Sequence, residues 1–423
     1  MRTSRILPMR SAVRTLAAHL AATLAISALA ATAHAGGGSF TLLGTAGLYP
    51  VDASADGRVV VGYNTGVFWY WTIDQGLVQI GGLSPSGGGA GSAAISASGT
   101  RIGYTVLNPA TGKTEAAFYD IATGATTLAG NFGFSCDLSA TSCWGMSDDG
   151  TTIVGLGWHN LCAARGFKSS ASGGLVDLGT LVPGSSSRAN ACSGDGSVIA
   201  GWQDTAQGAR LGAYWKNGIE KYITTQTGQS LGEAGVVSSD GRWILGLGLS
   251  TNGNLAWRFS EETGYIPLPP TPIPGFRGYP TGISANGTRI VMFYRTPFPP
   301  ATAGEGYLWI DGTLNSLETL AASEGITIPT GVRMALPLGM SDDGYTIVGT
   351  ARTPAGIQGF ILDLPRPPAC TADLNSDGTV GSQDIAVLLS AWGNAGGAED
   401  LNGDGTVGSQ DIAVMLSAWG ACP

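Results

Sequence analysis

The chain is poor in ionisable side chains and has almost no histidine. Only 12% of its 423 residues are charged, and three are histidines. Two of these, His19 and His34, lie in an N-terminal segment that we expect to be removed, so the mature chain keeps His159 alone. A single histidine excludes histidine-rich zinc sites and the H-E-x-x-H motif of metalloproteases. Since His159 stands beside Trp158 and Cys162, we expect it to have a structural role.

Basic residues and long apolar runs are also scarce. Lysine and arginine number 21 against 30 aspartates and glutamates, which gives a formal net charge of −9. This balance disfavours nucleic acid as a partner, because a polyanion is bound through a basic surface. After residue 35, no run approaches the roughly 18 apolar residues of a transmembrane helix. We therefore expect no transmembrane segment in the mature chain.

Residues 1–35 have the features of a secretory signal peptide. Four arginines precede an alanine-rich apolar run at residues 16–30, and the small residues at 33–35 offer a cleavage site. An uncleaved membrane anchor is the alternative. The segment predicts a secreted, extracellular protein, either free or attached to the cell surface.

Residues 36–365 repeat one short pattern. A turn of the form Ser-x-Asp/Ser/Asn-Gly is followed by a run rich in valine, isoleucine and threonine. The glycine permits the positive φ of a tight turn, and the run favours a β-strand. The turn occurs seven times, with its glycines at Gly57, Gly99, Gly150, Gly196, Gly241, Gly287 and Gly344.

Each repeat continues with a strand that carries an aromatic residue, and several repeats add further strands. Four strands in about 45 residues, repeated seven times, are typical of an all-β seven-bladed propeller. A ring of six or eight blades, or an open solenoid, is the alternative. The F-W-Y-W run at residues 68–71 either fills a blade core with alternate members or stacks on sugars. The aromatic residues expected in the blades are Trp69, Phe118, Phe167, Tyr214, Trp257, Tyr307 and Phe360.

The seventh repeat lacks a third strand, and the N-terminus carries a spare one. The last repeat ends at residues 359–365, whereas S-F-T-L-L-G-T-A-G at residues 39–47 precedes the first repeat. We expect this N-terminal strand to complete the last blade, which removes an open sheet edge. The extra residues of the sixth repeat, at 314–325, predict a short surface helix.

These repeats resemble the HAF-type extracellular repeats. That pattern runs I-S-x-D-G-x-x-x-V-G, then an aromatic strand, then G-x-x-x-L-G-x-L. The resemblance covers roughly residues 40–364, and it implies the propeller fold more than any activity.

Two near-identical acidic loops follow the repeats. D-L-N-S-D-G-T-V-G-S-Q-D at residues 373–384 returns at 400–411 with one change. In an EF-hand loop, positions 1, 3, 5 and 12 supply side-chain oxygens, position 7 supplies a carbonyl and position 6 is glycine. All-oxygen ligands with three carboxylates per loop favour Ca²⁺ over transition metals and Mg²⁺, so we expect two calcium ions. The predicted ligands are Asp373, Asn375, Asp377, Thr379 and Asp384 in the first loop and Asp400, Asn402, Asp404, Thr406 and Asp411 in the second.

An apolar stripe at i, i+3, i+4 and i+7 follows each loop and predicts a helix. We expect Ser382 and Ser409 to be the N-caps, and we expect the two stripes to bury each other. Without calcium the loop carboxylates repel, so we expect this region to be largely unfolded. The stripes are Ile385, Leu388, Leu389 and Trp392 in the first copy and Ile412, Met415, Leu416 and Trp419 in the second.

Residues 370–423 resemble a type I dockerin, a family with two such loop–helix repeats and aspartate at loop position 12. The resemblance implies a small all-α calcium-binding domain that docks onto cohesin modules of scaffold or cell-surface proteins. Basic residues that the family carries further along each helix are replaced here by serine and alanine at 390–391 and 417–418. A purely structural calcium-binding unit is the alternative. The partner-selecting residues implied at loop positions 10 and 11 are Ser382, Gln383, Ser409 and Gln410.

Six cysteines in a secreted chain predict disulfide bonds. Cys370 and Cys422 bracket the acidic loops, so we expect this pair to clasp the C-terminal region. Six cysteines allow 15 connectivities, and spacing alone does not select among them. The further pairs that we expect are Cys136 with Cys143 and Cys162 with Cys192.

The sequence therefore predicts a secreted binding or display protein. Its propeller, at residues 36–365, is the expected ligand-binding scaffold, with a polysaccharide as the expected ligand. A proline-rich linker at 366–369 joins it to the dockerin-like domain at 370–423, whose expected partner is a cohesin-like or cell-surface protein. No residue is assigned a catalytic role. The alternatives are an extracellular glycoside hydrolase or lyase that acts on polysaccharide, and a purely structural surface protein.

Overall fold

The computed structural model describes residues 37–64, 66–82, 91–248, 256–296, 303–366, 370–375 and 379–421. The predicted signal peptide lies outside these ranges, as do Asp377, Cys422 and most of the predicted linker. Within the described ranges, no helix is both long and apolar enough to cross a membrane.

Seven four-stranded antiparallel sheets make up most of the described chain. Six are meanders of four consecutive strands, because each repeat places turn residues between short runs of strand formers. The first strand of the chain, β1 (Ser39–Ala46), belongs to the seventh blade. The strands of the first three blades are β2 (Tyr49–Ala53), β3 (Val59–Tyr63), β4 (Phe68–Thr72), β5 (Gly76–Gly81), β6 (Ala94–Ile95), β7 (Arg101–Asn108), β8 (Lys113–Asp120), β9 (Thr126–Leu128), β10 (Thr141–Met146), β11 (Thr152–Trp158), β12 (Ala164–Ser170) and β13 (Gly174–Asp177). Those of the last four blades are β14 (Ser187–Cys192), β15 (Val198–Asp204), β16 (Arg210–Lys216), β17 (Ile219–Tyr222), β18 (Ala234–Val237), β19 (Ile244–Leu247), β20 (Ala256–Ser260), β21 (Gly264–Pro267), β22 (Arg277–Ile283), β23 (Arg289–Arg295), β24 (Glu305–Ile310), β25 (Thr313–Ser316), β26 (Arg333–Met340), β27 (Thr346–Thr353) and β28 (Gly356–Asp363).

The sheets close into a ring. The inner strands, which are β2, β6, β10, β14, β18, β22 and β26, each pack against the inner strands of both neighbouring sheets, and β26 meets β2. Hydrophobic clusters fill the space between blades, and one joins Trp69 and Val60 of the first blade to Val348 of the seventh. The predicted all-β seven-bladed propeller is confirmed.

The N-terminal strand completes the last blade. β1 pairs antiparallel with β28, from Ser39 opposite Asp363 to Ala46 opposite Gln358, and the sheet has the order β1-β28-β27-β26. Leu43 of β1 is buried in the cluster between the seventh and first blades. The predicted role of residues 39–47 in closing the ring is confirmed.

A repeated hydrogen-bond pattern holds the turn between the first two strands of every blade. The serine that opens the turn, which we call the turn serine, accepts the backbone N–H five residues later. In the first blade, Ser54 Oγ accepts from Val59 N at 3.0 Å and donates to Asp56 at 2.8 Å. The acceptor bond measures 2.9 to 3.0 Å in the other six blades. All seven turn glycines have φ between 67° and 78°, as the motif predicts.

The predicted aromatic residues pack inside the blades. Six of the seven are at most 4% exposed, and Tyr307 is partly buried. Phe68, Trp69 and Tyr70 of the F-W-Y-W run are buried as well. Three of the four residues therefore belong to the core, and Trp71 is partly buried against it.

The predicted helix of the sixth repeat is α1 (Leu317–Ser323). Ser316 caps it by accepting the N–H of Thr319 at 3.1 Å. Leu317 and Ala321 are fully buried in the neighbouring blade core, so one face of this surface helix is packed.

The C-terminal unit, residues 370–423, contains two helices and a short ladder. These elements are α2 (Ser382–Ser390), α3 (Ser409–Ser417), β29 (Thr379–Val380) and β30 (Gly420–Ala421). Cys370 is disulfide-bonded, and its predicted partner Cys422 lies outside the described residues.

The two loop–helix copies of this unit are joined by reciprocal backbone pairing. Val380 in the first loop pairs with Gly420 after the second helix. Val407, 27 residues further on, accepts the N–H of Gly393 after the first helix at 2.9 Å. Both valines are 1% exposed. This reciprocal pairing relates the copies by an approximate twofold axis.

The predicted N-caps are wrong by one residue. Gly381 and Gly408 occupy the cap positions. Their N–H groups donate to Asp384 and Asp411, three residues later, at 2.8 and 2.7 Å. Because aspartate supplies the side-chain cap, the predicted serines lie in the first helical turn.

The predicted burial of the two apolar stripes is only half correct. Leu388 and Met415 are fully buried, whereas the last leucine and the tryptophan of each stripe are about half exposed. The reason is the size of the unit, because two nine-residue helices share one small core and cover only a narrow face of each other. The exposed residues are Leu389, Trp392, Leu416 and Trp419.

The predicted pairing of the other four cysteines is also wrong. Cys136 is bonded to Cys162, with their Cα atoms 5.0 Å apart, and the bond joins a loop before β10 to a short 3-10 turn after β11. Cys143 and Cys192 are free and buried. They lie on the inner strands β10 and β14, where their side chains pack into blade cores and do not reach the loops.

Candidate functional site

A channel runs through the ring between the inner strands. It has a volume of about 480 Å³ and is lined by residues from all seven blades. Pockets for small molecules have volumes of roughly 300–1,000 Å³. The sequence patterns assign no site residue to this channel, so it is an addition to the predicted sites.

β-Bulges determine which side chains enter the channel. In six inner strands the pairing register shifts at the position three residues before the turn serine. A bulge re-aims the side chain of the extra residue. The offset from the turn serine is thus a sequence signal for channel residues. The six bulge residues, all of which line the channel, are Val51, Trp144, Asn190, Gly235, Thr281 and Leu338.

Arg188 and Glu233 stand where β14 and β18 begin, and with the bulge residues Trp144 and Asn190 they form what we call the mouth cluster. The Arg188 guanidinium donates to Glu233 Oε1 at 2.5 Å and to Asn190 Oδ1 at 2.6 Å. Asn190 Nδ2 donates to Glu233 Oε1 at 2.8 Å and to the carbonyl of Ala234 at 2.7 Å. The same guanidinium lies 3.7 Å from the centre of the Trp144 ring. These mutual contacts hold all four side chains in place.

A second arginine and a second tryptophan extend this cluster. The guanidinium of Arg210 lies 3.5 Å from the Trp202 ring centre, and that of Arg188 lies 5.4 Å from the same ring. Arg210 also approaches Asp204 at 3.6 Å and Glu233 at 4.0 Å. Two arginines and two acids therefore balance at this end of the channel.

Backbone hydrogen bonds join neighbouring turns at the opposite end. The second residue of a turn donates its N–H to the carbonyl of the second residue of the next turn, from Ala97 to Asp148 at 2.8 Å and from Asp148 to Gly194 at 2.9 Å. The equivalent bond joins the first and second, the fourth and fifth, and the sixth and seventh blades. These bonds draw the turns together around the channel.

Three aspartates, which we call the channel acids, line the channel: Asp52, Asp148 and Asp342. Burial raises the pKa of Asp52 and of Asp342 to about 7, and the charge of Asp148 adds to both shifts. Asp52 accepts the N–H of Ile95 at 2.9 Å, and Asp148 accepts the Ser239 hydroxyl. Across the described ranges, no three histidine, cysteine, aspartate or glutamate residues are grouped so as to hold a metal ion.

His159 has contacts that fit the predicted structural role. Its ring centre lies 4.6 Å from that of Phe132 and 5.9 Å from that of Phe134. Its Nε2 lies 3.3 Å from a carboxylate oxygen of Asp177. It adjoins the 3-10 turn that carries Cys162, so it packs beside the Cys136–Cys162 disulfide loop.

The second acidic loop is described in full, and its predicted ligands face its own backbone. Asp400 accepts the N–H groups of Asp404 at 3.1 Å and Gly405 at 2.8 Å. Asn402 Oδ1 accepts the N–H of Asp404 at 2.9 Å, and Asp404 Oδ1 accepts that of Thr406 at 3.0 Å. These bonds gather the side chains of loop positions 1, 3 and 5 around one tight turn. Among the described residues, which include the whole of this loop, no three acids are grouped so as to hold a metal ion.

Aspartate at loop position 12 joins each loop to its helix. Asp411 accepts the N–H groups of Gly408 at 2.7 Å and Asn402 at 3.1 Å, and Asp384 makes the equivalent bonds at 2.8 and 3.1 Å. Both carboxylates are fully buried. The N–H of Gly408 holds the pKa of Asp411 below its usual range. Each carboxylate is therefore held by backbone N–H groups from both its loop and its helix start.

Loop positions 10 and 11 are exposed in both copies. Gln383 Oε1 accepts from Asn375 Nδ2 at 3.1 Å, and Gln410 Oε1 accepts from Asn402 Nδ2 at 2.9 Å. The glutamines therefore tie each helix start to loop position 3. The exposed residues are Ser382, Gln383, Ser409 and Gln410.

Each copy also exposes one leucine and one tryptophan outside its acidic loop. Leu389 and Trp392 are each 49% exposed, Leu416 is 53% exposed and Trp419 is 52% exposed. Tryptophan is usually highly buried, and large exposed apolar side chains that cluster mark interaction sites. Because the copies pair reciprocally, the two exposed pairs occupy equivalent places.

No family model matches the sequence, and no curated protein matches it. Similar solved structures include TolB from Acinetobacter baumannii, at 15% identity and a TM-score of 0.41, over 64% of this chain and 63% of that one. This chain thus spans under two thirds of that protein's length. Another is an oligogalacturonate lyase from Vibrio parahaemolyticus, at 14% identity and a TM-score of 0.49, over 77% of this chain and 94% of the other.

A third similar structure is the β-propeller domain of the trilobed protease from Pyrococcus furiosus. Its identity is 11% and its TM-score 0.45, over 75% of this chain and 95% of the other. At these identities and scores, the similarities carry no conclusion about activity or ligand.

Proposed function

We propose that this chain is an extracellular binding protein that is displayed through its C-terminal unit. The unit binds two Ca²⁺ ions and docks onto a cohesin-like module, while the propeller holds a ligand. The observation that carries the proposal is the reciprocal pairing of two near-identical loop–helix copies. Each copy presents an exposed leucine and tryptophan beside a predicted calcium loop.

Calcium is the ion that suits the donors. Each loop offers carboxylates at positions 1, 5 and 12, an amide at position 3 and a carbonyl at position 7, with no nitrogen or sulfur ligand. Glycine at position 9, Gly381 or Gly408, leaves room for a water ligand. The ion neutralises three carboxylates that otherwise repel, so its binding energy contributes to the folding of the unit.

Docking through the exposed tryptophans follows from their size and their duplication. Tryptophan is enriched among residues that dominate binding energy at interfaces. Trp392 and Trp419 occupy equivalent places, so either copy can face the partner, in two orientations related by a half-turn. The glutamines expected to select the partner, Gln383 and Gln410, lie in the first turn of the same helices.

The end of the propeller suits such a display role. Arg366, the last described residue before the C-terminal unit, bonds to Asp343 and Asp363 at 2.7 Å and to the carbonyl of Asp56 at 3.1 Å. Asp56 and Asp343 belong to the turns, so the chain leaves the propeller at the turn end. The mouth cluster lies at the other end of the inner strands, facing away from the attachment.

Binding of the full-length chain to a panel of type I cohesin modules, followed by biolayer interferometry, tests the docking proposal. We expect binding in calcium chloride that is lost in EDTA. Trp392→Ala together with Trp419→Ala should weaken binding at least tenfold, whereas either change alone should leave it nearly intact. Ile73→Ala, at an exposed propeller position, is the control. Binding that ignores EDTA, or no binding to any module, contradicts the proposal.

A further inference from the structure

We propose that the mouth of the channel binds an uncharged saccharide. One sugar ring lies against Trp144, and its hydroxyl groups bond to Arg188 and Glu233. This inference rests on the proposed role of the propeller as a ligand scaffold, and it adds the site and the chemical class of the ligand.

The first argument is charge. Arg188 and Arg210 face Glu233 and Asp204 at this end, so the charges of these four side chains sum to zero. A cation would meet Arg188 and an anion would meet Glu233, while an apolar ligand would remove both from water without replacing their hydrogen bonds. A neutral ligand rich in hydroxyl groups avoids all three penalties.

The second argument is the capacity for hydrogen bonds that remains in the ion pair. Arg188 uses Nε and Nη2 in its bonds to Asn190 and Glu233, and a guanidinium has five N–H groups. Glu233 Oε2 lies 4.0 Å from Arg210 Nη1, beyond hydrogen-bond distance, and the Glu233 side chain is 29% exposed. The pair thus offers fixed donors beside a fixed acceptor, which is the combination that vicinal hydroxyl groups satisfy.

The third argument is the aromatic surface. Trp144 is a bulge residue and lines the channel, as does Tyr63, which stacks on Tyr49 with ring centres 5.2 Å apart. Arg188 lies over one face of the Trp144 indole, so a sugar ring stacks on the other face, and sugar rings are likewise apolar on one face and polar at the edge. The side chains are already ordered by their mutual contacts, so binding loses little conformational entropy.

The arrangement is confined to one sector of the ring. The bulge positions of the first, sixth and seventh blades hold Val51, Thr281 and Leu338, none of which is aromatic or charged. The blades of Trp144, Arg188 and Glu233 are consecutive, the third to the fifth. The charged contacts to the ligand therefore come from one wall of the mouth, and Tyr63 of the first blade is an aromatic lining residue outside that wall.

Isothermal titration of the full-length chain in calcium chloride tests this site. The probes are neutral oligomers of glucose, xylose, mannose and galactose with two to six units, and oligomers of galacturonate and glucosamine are the charged counterparts. We expect a neutral series to bind and the charged ones to bind at least tenfold more weakly. Trp144→Ala and Glu233→Gln should each weaken binding of the neutral series at least tenfold, while Trp392→Ala should not.

Trp144→Phe separates misfolding from loss of the site, because a phenyl ring keeps the packing against Arg188. It should retain the wild-type unfolding temperature and bind more weakly than wild type but more tightly than Trp144→Ala. No binding of any neutral oligomer at millimolar concentration, unchanged affinity in both Trp144→Ala and Glu233→Gln, or tighter binding of a charged series overturns the inference. Calcium-dependent cohesin binding is measured on the same samples, so loss of sugar binding with intact docking rejects this site alone.

Discussion

Aspartates in the repeated turns have pKa shifts of opposite sign. Asp195 is third in its turn, where the hydroxyl of Ser193 and the N–H of Ser197 lower its pKa to about 2. Asp342 is second in its turn and lines the channel, where burial and the charge of Asp148 raise its pKa to about 7. The position within one four-residue motif therefore decides whether folding favours the carboxylate or the protonated acid.

Asp342→Asn should stabilise the folded protein at pH 8. Between about pH 4 and pH 7 the folded state keeps a proton on Asp342 that the unfolded chain releases. Between pH 4 and pH 7, Asp342 therefore lowers the free energy of unfolding by an amount that grows as the pH rises. Above pH 7 this loss is constant. At 1.36 kcal/mol per pKa unit, removing this charge adds on the order of 2–4 kcal/mol to the free energy of unfolding at pH 8 and little at pH 4. Urea unfolding at both pH values measures the difference.

Asp195→Asn is the matched control for this prediction. The sixth turn carries asparagine at the third position, where Asn286 Oδ1 accepts from the Ser284 hydroxyl at 2.8 Å and from Thr288 N at 3.1 Å. A lowered pKa contributes stability above about pH 4 that is lost as the pH falls towards 2, so this variant should not exceed the wild type at pH 8. A less stable Asp342→Asn at pH 8 would show that the carboxylate is favoured in the channel.

At the level of elements, local patterns in the sequence predict most of the propeller. Turn glycines need positive φ, strand formers follow them, and the aromatic positions are buried, so the blades and the closing strand β1 could be predicted. The cysteine pairs could not. Cys143 is close to Cys136 in sequence, but its side chain points from β10 into a blade core, and that direction depends on strand pairing.

The candidate site was less predictable than the blades. Arg188 and Glu233 are 45 residues apart in sequence and meet only because adjacent blades bring the starts of their inner strands together. Both stand five residues before a turn serine. An alignment of the repeats on that serine therefore places them in the same column, which corresponds to the same height along the channel. The bulge that turns Trp144 into the channel lies three residues before the turn serine, but that offset could be recognised only once the register shifts were known.

The C-terminal helices allow a prediction that separates folding from docking. Leu388 is fully buried and Leu389 is 49% exposed, although both belong to the predicted stripe. Leu388→Ala should destabilise the C-terminal unit by about 2–5 kcal/mol, the usual cost of a leucine truncated in a core, whereas Leu389→Ala should change its stability little. Hydrogen exchange of residues 379–421 in calcium chloride measures both. Equal exchange rates in the two variants would mean that Leu388 does not belong to the core.

On the scale of the whole molecule, the ring depends on one non-local pairing. The other six sheets are built from strands adjacent in sequence, but the seventh joins residues 39–46 to residues 356–363. Without β1, strand β28 is an open edge whose N–H and C=O groups lack partners in the sheet. Pairing with β1 therefore ties the first and last blades together, and β1 replaces β28 as the outer edge strand of the seventh sheet.

A chain that begins at residue 48 should lose this closure. Compared with a chain that begins at residue 37, we expect a free energy of unfolding lower by several kcal/mol, because the buried Leu43 and the β1–β28 ladder are lost. The free edge should also cause self-association, visible by light scattering. A synthetic peptide of residues 37–48 should restore the monomer, since an extended peptide adds readily to an exposed sheet edge. A truncated chain that stays monomeric and equally stable would place the tie between the first and last blades in their side-chain packing rather than in β1.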